Sequence, residues 1–340
     1  MRWSKTVVCE FENYPVQVAA RQWRNDTSLR SASVDLISEE AQLYSTREKE
    51  LVNIGVVIAF LSAMVLSISA SAQDQGLHNS SKEFAAPADL SWTDWDDPLE
   101  LDRTWQAAIV RVPAGKGQSR QVTTDDLLQQ TTGIEGKIPT VIYLHGCSGI
   151  WPGTHTRIKF LSDNGFLVIA PASLARETYP RSCNVETHEG GLFRGTLVLR
   201  HNDAGYAIEK AREVSIVDKK NIVLMGFSEG GLATVTFEAR NEQQHVSARV
   251  SEGWTCHVPW PEARGVNAPE SEPVLTLVGE RDPWYQSQWT IGDCAQFLNP
   301  TNGSKSVVYR DGVLADKHGL LDHEIAQRDV LEFLNKNLDF

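Results

Sequence analysis

Short apolar runs rich in β-branched residues recur along the chain at 107–112, 140–144, 166–170, 222–225, 246–250, 274–278 and 306–309. Each has the length of a buried strand. Between them apolar positions return with a helical period, most clearly at 203–214, 230–239 and 324–338. Continuous apolar strands separated by helices predict an α/β fold, with a mostly parallel central sheet covered by helices on both faces. Ligands of such sheets bind at the carboxyl ends of the strands. The chemistry is therefore expected in the loops that follow each strand.

A different pattern precedes the sheet. Residues 54–68 read IGVVIAFLSAMVLSI, without a charge, and Ala70-Ser71-Ala72 forms an A-x-A cleavage signal before Gln73. That is the pattern of a secretory signal peptide. It is shorter than the roughly 20 residues of a bilayer-spanning helix. Residues 1–50 make an unusually long leader of mixed charge, 7 Lys+Arg against 8 Asp+Glu. Two explanations stay open: a true start near Leu51 or Val52, or an uncleaved anchor at 51–72 behind a cytoplasmic tail. Both put the remainder outside the cytoplasm, periplasmic or secreted in the first case and membrane-anchored in the second. Residues 73–104, rich in Ser, Asp and Pro, read as an irregular lead-in with Trp92 and Trp95 as anchors. Residues 105–340 read as one folded domain.

Composition narrows the field. The 340 residues are 41% hydrophobic and carry a net charge of −12. An acidic chain offers no basic surface to a phosphate backbone, which excludes nucleic acid as an expected partner. The five cysteines contain no CxxC pair, which removes a structural zinc site. No period of 20–50 residues repeats, so solenoids and propellers are set aside.

The strand at 222–225 runs into Gly226-Phe227-Ser228-Glu229-Gly230-Gly231, and a helical pattern follows. G-x-S-x-G between strand and helix is a nucleophile elbow, in which Ser228 adopts a strained backbone conformation that lifts out its hydroxyl. A serine hydroxyl needs a base within hydrogen-bond reach, oriented by a third group. On this fold the order is Ser, acid, His. Asp282 follows the strand at 274–278 and is the favoured acid, with Glu280 as fallback and Glu252 third. His318, in Lys317-His318-Gly319, is the favoured base, and His323 falls at a helix start. The two N–H groups of an oxyanion hole are expected from Glu229, after the nucleophile, and from Cys147 in His145-Gly146-Cys147-Ser148-Gly149, after the strand at 140–144.

In this order and spacing HGCSG, GFSEGG, GERDPW and KHG resemble the dienelactone hydrolase family of α/β-hydrolases, over roughly residues 105–340. The likeness is to its secreted, serine-containing branch. Dienelactone hydrolase proper carries a cysteine where this chain has Ser228, which leaves the dienelactone substrate open. The resemblance implies hydrolysis of a small-molecule carboxylic ester through Ser228, Asp282 and His318, without metal or organic cofactor. A peptidase, a polysaccharide-ester hydrolase and a catalytically silent binding module remain alternatives on the same fold. A silent copy would be expected to have lost part of its triad.

Aromatic residues cluster in the same loops. Trp151, Trp254, Trp260, Trp284 and Tyr285 follow strand ends and are expected to line a pocket for small or aromatic acyl groups. Arg181 is a candidate partner for a substrate carboxylate. Four cysteines remain after residue 72, and an even number in an exported chain suggests pairing. The topology pairs Cys256 with Cys294 and Cys147 with Cys183.

Overall fold

The computed structural model describes residues 84–86, 90–115, 117–129 and 136–339. The candidate signal segment at 51–72 and Cys9 lie outside the described residues.

All seven apolar runs become strands of one eight-stranded sheet. They are β1 (Ile109–Pro113), β3 (Ile138–Leu144), β4 (Leu167–Ala170), β7 (Val217–Phe227), β8 (Ala248–Glu252), β9 (Val274–Gly279) and β10 (Lys305–Tyr309); the eighth, β2 (Ser119–Val122), is a polar edge strand. The spatial order is β10-β9-β8-β7-β3-β4-β1-β2. The strands from β4 to β10 run parallel, and β1 pairs antiparallel with both β4 and β2. A two-stranded hairpin, β5 (Cys183–Asn184) with β6 (Glu189–Gly190), stands apart from the sheet. β7 is much longer than its apolar run because its polar start, with Asp218, Lys219 and Lys220, bulges against β3 and resumes register at Ile222.

Alternation along β3 divides the core. Ile142 and Leu144 face one layer, with Trp105 and with Ala204, Ala207 and Ile208 of the helix Thr196–Glu213. Val141 and Tyr143 face the other, with Ile158 and Leu161 of the helix Pro152–Asp163 and Val330 and Leu334 of the helix Glu324–Asn337. Strands buried on both faces explain why the runs are continuously apolar. In chain order the helices are α1 (Pro98–Gln106), α2 (Thr124–Gln129), α3 (Pro152–Asp163), α4 (Thr196–Glu213), α5 (Glu229–Thr236) and α6 (Glu324–Asn337). The lead-in read as irregular at 73–104 ends in a helix, α1: Asp97 caps it by accepting from the Leu99 N–H, Pro98 opens it, and Trp105 buries into the core.

The chain steps outward from β3 to β4 and then returns past β3 to β7, so the direction of winding reverses beside β3. A crevice is expected at such a reversal, at the carboxyl ends of β3 and β7. Leu144 and Gly226 are register partners there.

Two disulfides brace this end of the sheet. Cys147–Cys183 ties the loop after β3 to the β5–β6 hairpin, and Cys256–Cys294 ties the loop after β8 to the loop after β9. Closing 38 residues restricts the unfolded chain by roughly 3–4 kcal/mol in the entropy model. Changing Cys256 and Cys294 together to Ser is expected to lower stability by about that amount in chemical denaturation. Unchanged stability, or alkylation of all four cysteines without reduction, would refute the pairing.

Candidate active site

β7 carries the sequence out of the sheet at Phe227, and α5 begins at Glu229. Ser228 between them has φ 58° and ψ −119°, a region that costs a non-glycine residue about 1–3 kcal/mol. Two backbone bonds hold it there. Its N–H donates to Glu252 O at 2.8 Å, and its carbonyl accepts from Leu232 N–H at 2.9 Å. A Cβ on Gly226 would lie 2.2 Å from Gly230 O, and one on Gly230 would lie 2.1 Å from Leu144 O. Both glycines are required by the close crossing of β3, β7 and α5.

Asp282 and His318 meet at the mouth of the same crevice. Asp282 is almost fully buried, and one carboxylate oxygen, Oδ1, accepts the Trp284 N–H at 3.0 Å. The other, Oδ2, lies 2.7 Å from His318 Nδ1. This bond fixes the imidazole with its proton on Nδ1 and leaves Nε2 as the basic nitrogen. Nε2 is buried and has no hydrogen-bond partner, and His318 lines a groove together with Ser228. Three rings cage the imidazole: Trp284 stacks on it at 5.2 Å, with Phe227 at 4.9 Å and Tyr285 at 5.7 Å. Gly253, at φ 69°, leaves space for it, since a Cβ there would lie 3.1 Å from the ring.

Cys147 and Ser148 of the β3 loop line that groove as well. A Cβ on Gly146 would touch Ser228 Cβ at 3.5 Å, so the loop passes directly over the nucleophile. Glu229 is the first residue of α5, where a backbone N–H has no intrahelical acceptor. Cys147 and Glu229 line a second cavity together with Ser228.

Glu252, the third candidate acid, has a different place. Its carboxylate is wholly buried and paired in two bonds with Arg157 of α3, at 2.7 and 2.8 Å. It also accepts the N–H groups of Leu320 and Leu321, at 2.6 and 2.9 Å. Its backbone carbonyl meanwhile holds Ser228 N–H. One residue therefore fixes both the elbow and the segment just after His318. Burial disfavours charge on Arg157, but the carboxylate of Glu252 outweighs it and holds the guanidinium above its ordinary pKa. Sequence reasoning missed Arg157; a lone arginine in a polar helical stretch gives no signal. Glu280, the fallback acid, is half exposed and pairs with Arg310 at 3.3 Å.

Of the aromatic candidates, Trp151 lines the groove, Trp254, Trp260 and Tyr285 line the second cavity, and Trp284 lines both. The Tyr285 hydroxyl is committed, donating to Gly253 O at 2.6 Å. Arg181 requires correction. It lines neither cavity, and its guanidinium lies 4.8 Å over the Phe84 ring.

His145 lies fully buried under the β3 loop. Its Nδ1 is 2.7 Å from Gly146 O, and its Nε2 accepts the Ser173 N–H at 3.1 Å. Burial, with Arg200 beside it, pushes its pKa well below the usual histidine value. Burial and then Arg249 push His201 down to about 4. The unfolded chain accepts these protons near pH 6.5, while the folded one refuses them. The stability they contribute is complete above about 6.5 and is lost as pH falls from there toward about 4. Denaturation midpoints are expected to drop across that interval, less steeply for His201→Gln. A constant midpoint would contradict this.

The order of the sheet, the elbow and the flanking helices define an α/β-hydrolase. The model of the dienelactone hydrolase family matches residues 127–293, which places this segment, with Ser228 and Asp282 but not His318, in that family. No curated protein matches the chain. Among solved structures, a Klebsiella pneumoniae subsp. pneumoniae protein provisionally described as a dienelactone hydrolase is similar at 19% identity, over 67% of this chain and 98% of that one, with a TM-score of 0.46. A dienelactone hydrolase-like promiscuous phosphotriesterase from metagenomic libraries is 16% identical, over 68% and 99%, with a TM-score of 0.43. An α/β-hydrolase enzyme from a Medee basin deep-sea metagenome library is 13% identical, over 68% and 98%, with a TM-score of 0.45.

Proposed function

We propose that this chain is a serine hydrolase that cleaves carboxylic esters through an acyl-enzyme on Ser228. The observation that carries the reading is the 2.7 Å bond from His318 to buried Asp282, with His318 Nε2 unpartnered in the groove that holds Ser228. His318 takes the serine proton as Oγ attacks the carbonyl carbon, and Asp282 stabilises the resulting imidazolium. The N–H groups of Cys147 and Glu229 receive the negative oxygen of the tetrahedral intermediate. His318 then protonates the departing alcohol, and water repeats the sequence to release the acid. A full set of roles favours an enzyme over a silent binding module. Export is part of the same proposal: two disulfides suit an oxidising compartment, and no helix of the described residues is long and apolar enough to cross a membrane.

The test is hydrolysis of p-nitrophenyl esters of increasing acyl length, beside an amide of the shortest acid. Saturable ester cleavage that Ser228→Ala removes is expected. Cleavage of the amide alone would turn the reading to a peptidase.

A further inference from the structure

Ser228 stands between two cavities, both largely apolar in their lining. One is lined by Phe193, Trp254, Trp260, Trp284, Tyr285 and Glu229. Its rim carries an ion pair, Arg194 with Glu262 at 2.6 Å, and Arg194 lies 5.4 Å over the Trp260 ring. The other, wider at the mouth, includes Ser148, His188, Lys317 and Asp322 in its lining together with Trp151 and Trp284. Cys147, Ser228 and Trp284 belong to both and form the partition. His318 lines only the second.

Acid catalysis assigns the two sides. When the tetrahedral intermediate collapses, the C–O bond to the alcohol breaks and its oxygen takes the proton from His318 Nε2. That oxygen must lie within hydrogen-bond reach of the imidazole, hence on the side of the groove. The acyl substituent, attached to the same carbon and directed away from His318, enters the aromatic cavity. Flat ring walls favour a flat apolar group by stacking. Ser148, His188, Lys317 and Asp322 give the otherwise apolar groove wall groups able to hydrogen-bond the hydroxyls of a sugar-like alcohol. The geometry points to an ester of a compact aromatic acid with a polyhydroxylated alcohol such as a sugar. This rests on the ester-hydrolase reading above and makes it specific.

Four esters, crossing benzoic and decanoic acids with methanol and a methyl glucoside, separate the two claims when kcat/KM is measured for the full chain. Benzoates are expected to exceed decanoates about tenfold for either alcohol, the scale of discrimination an apolar pocket provides. The glucoside is expected to exceed methanol for either acid. Trp260→Ala should erase most of the acyl preference and leave the alcohol preference intact, and His188→Ala should do the reverse. Faster decanoates, or a Trp260→Ala change confined to the alcohol ratio, would overturn the assignment while leaving the ester reading standing. Absence of cleavage of all four, or cleavage that survives Ser228→Ala, would contradict the reading itself and the assignment with it.

Discussion

Ser228→Ala is expected to lower kcat by about 10⁴–10⁶, with His318→Ala falling as far and the double variant little further, because triad members act as one unit. The substitution removes the hydroxyl of the elbow residue and leaves the fold alone. Stability should change little, since the side chain makes no hydrogen bond on which the elbow depends: its backbone bonds to Glu252 and Leu232 remain. Asp282→Asn is expected to cost about 10⁴ in kcat by presenting the wrong imidazole tautomer. Full activity of that variant would move the acid role, but neither rival is placed for it. Glu280 is exposed and paired with Arg310, and Glu252 is occupied by Arg157 and two backbone N–H groups. A Ser228→Ala enzyme retaining more than about a tenth of its activity would remove the triad assignment altogether.

Glu252→Ala is expected to be the most damaging substitution away from the triad, at about 3–5 kcal/mol. The pair it breaks has no solvent access on either side chain, so buried Arg157 would keep only Asp322, a half-exposed carboxylate at 3.0 Å, as its counter-charge. The N–H groups of Leu320 and Leu321 would also lose their acceptor. For a domain of this size the melting temperature should fall by roughly 6–20 °C. Glu252→Leu combined with Arg157→Met should recover part of that, since it also removes the buried cation that has lost its main partner. Activity should nevertheless stay depressed in the double variant, because the segment after His318 has lost its anchor. A loss below about 1 kcal/mol in Glu252→Ala would show the pair to be incidental.

The sheet was legible because strands buried on both faces carry short runs that are mainly apolar, with Arg111 and Arg249 among the exceptions. The elbow was legible because strand, glycine and serine fall at a spacing that few other structures need. Asp282 and His318, which the structure brings within 2.7 Å of each other, were candidates from chain order and from their places in loops after strands. The helices were harder. α3 and the first half of α4 turn Arg157, Arg200, Asn202 and Asp203 toward the interior, so their buried faces are not apolar and the helical period is hidden. Arg200 donates to His145 O, and Asp203 accepts from Arg176 at 2.6 Å; these partners lie 55 and 27 residues away in sequence. Pairings of that range leave no local trace. Arg181 shows the converse error. A loop arginine near a strand end is equally able to face solvent, and here it covers Phe84.

The most direct test of the central claim is to label the active enzyme with a fluorophosphonate, which reacts with a serine only when an adjacent base and an oxyanion hole activate it, and to locate the adduct by mass spectrometry. Labelling should abolish ester hydrolysis in step with modification. The adduct should appear on the tryptic peptide 221–240, at Ser228, and be absent in His318→Ala. Full inactivation with the adduct on any other residue, or sustained hydrolysis with Ser228 fully modified, would contradict it.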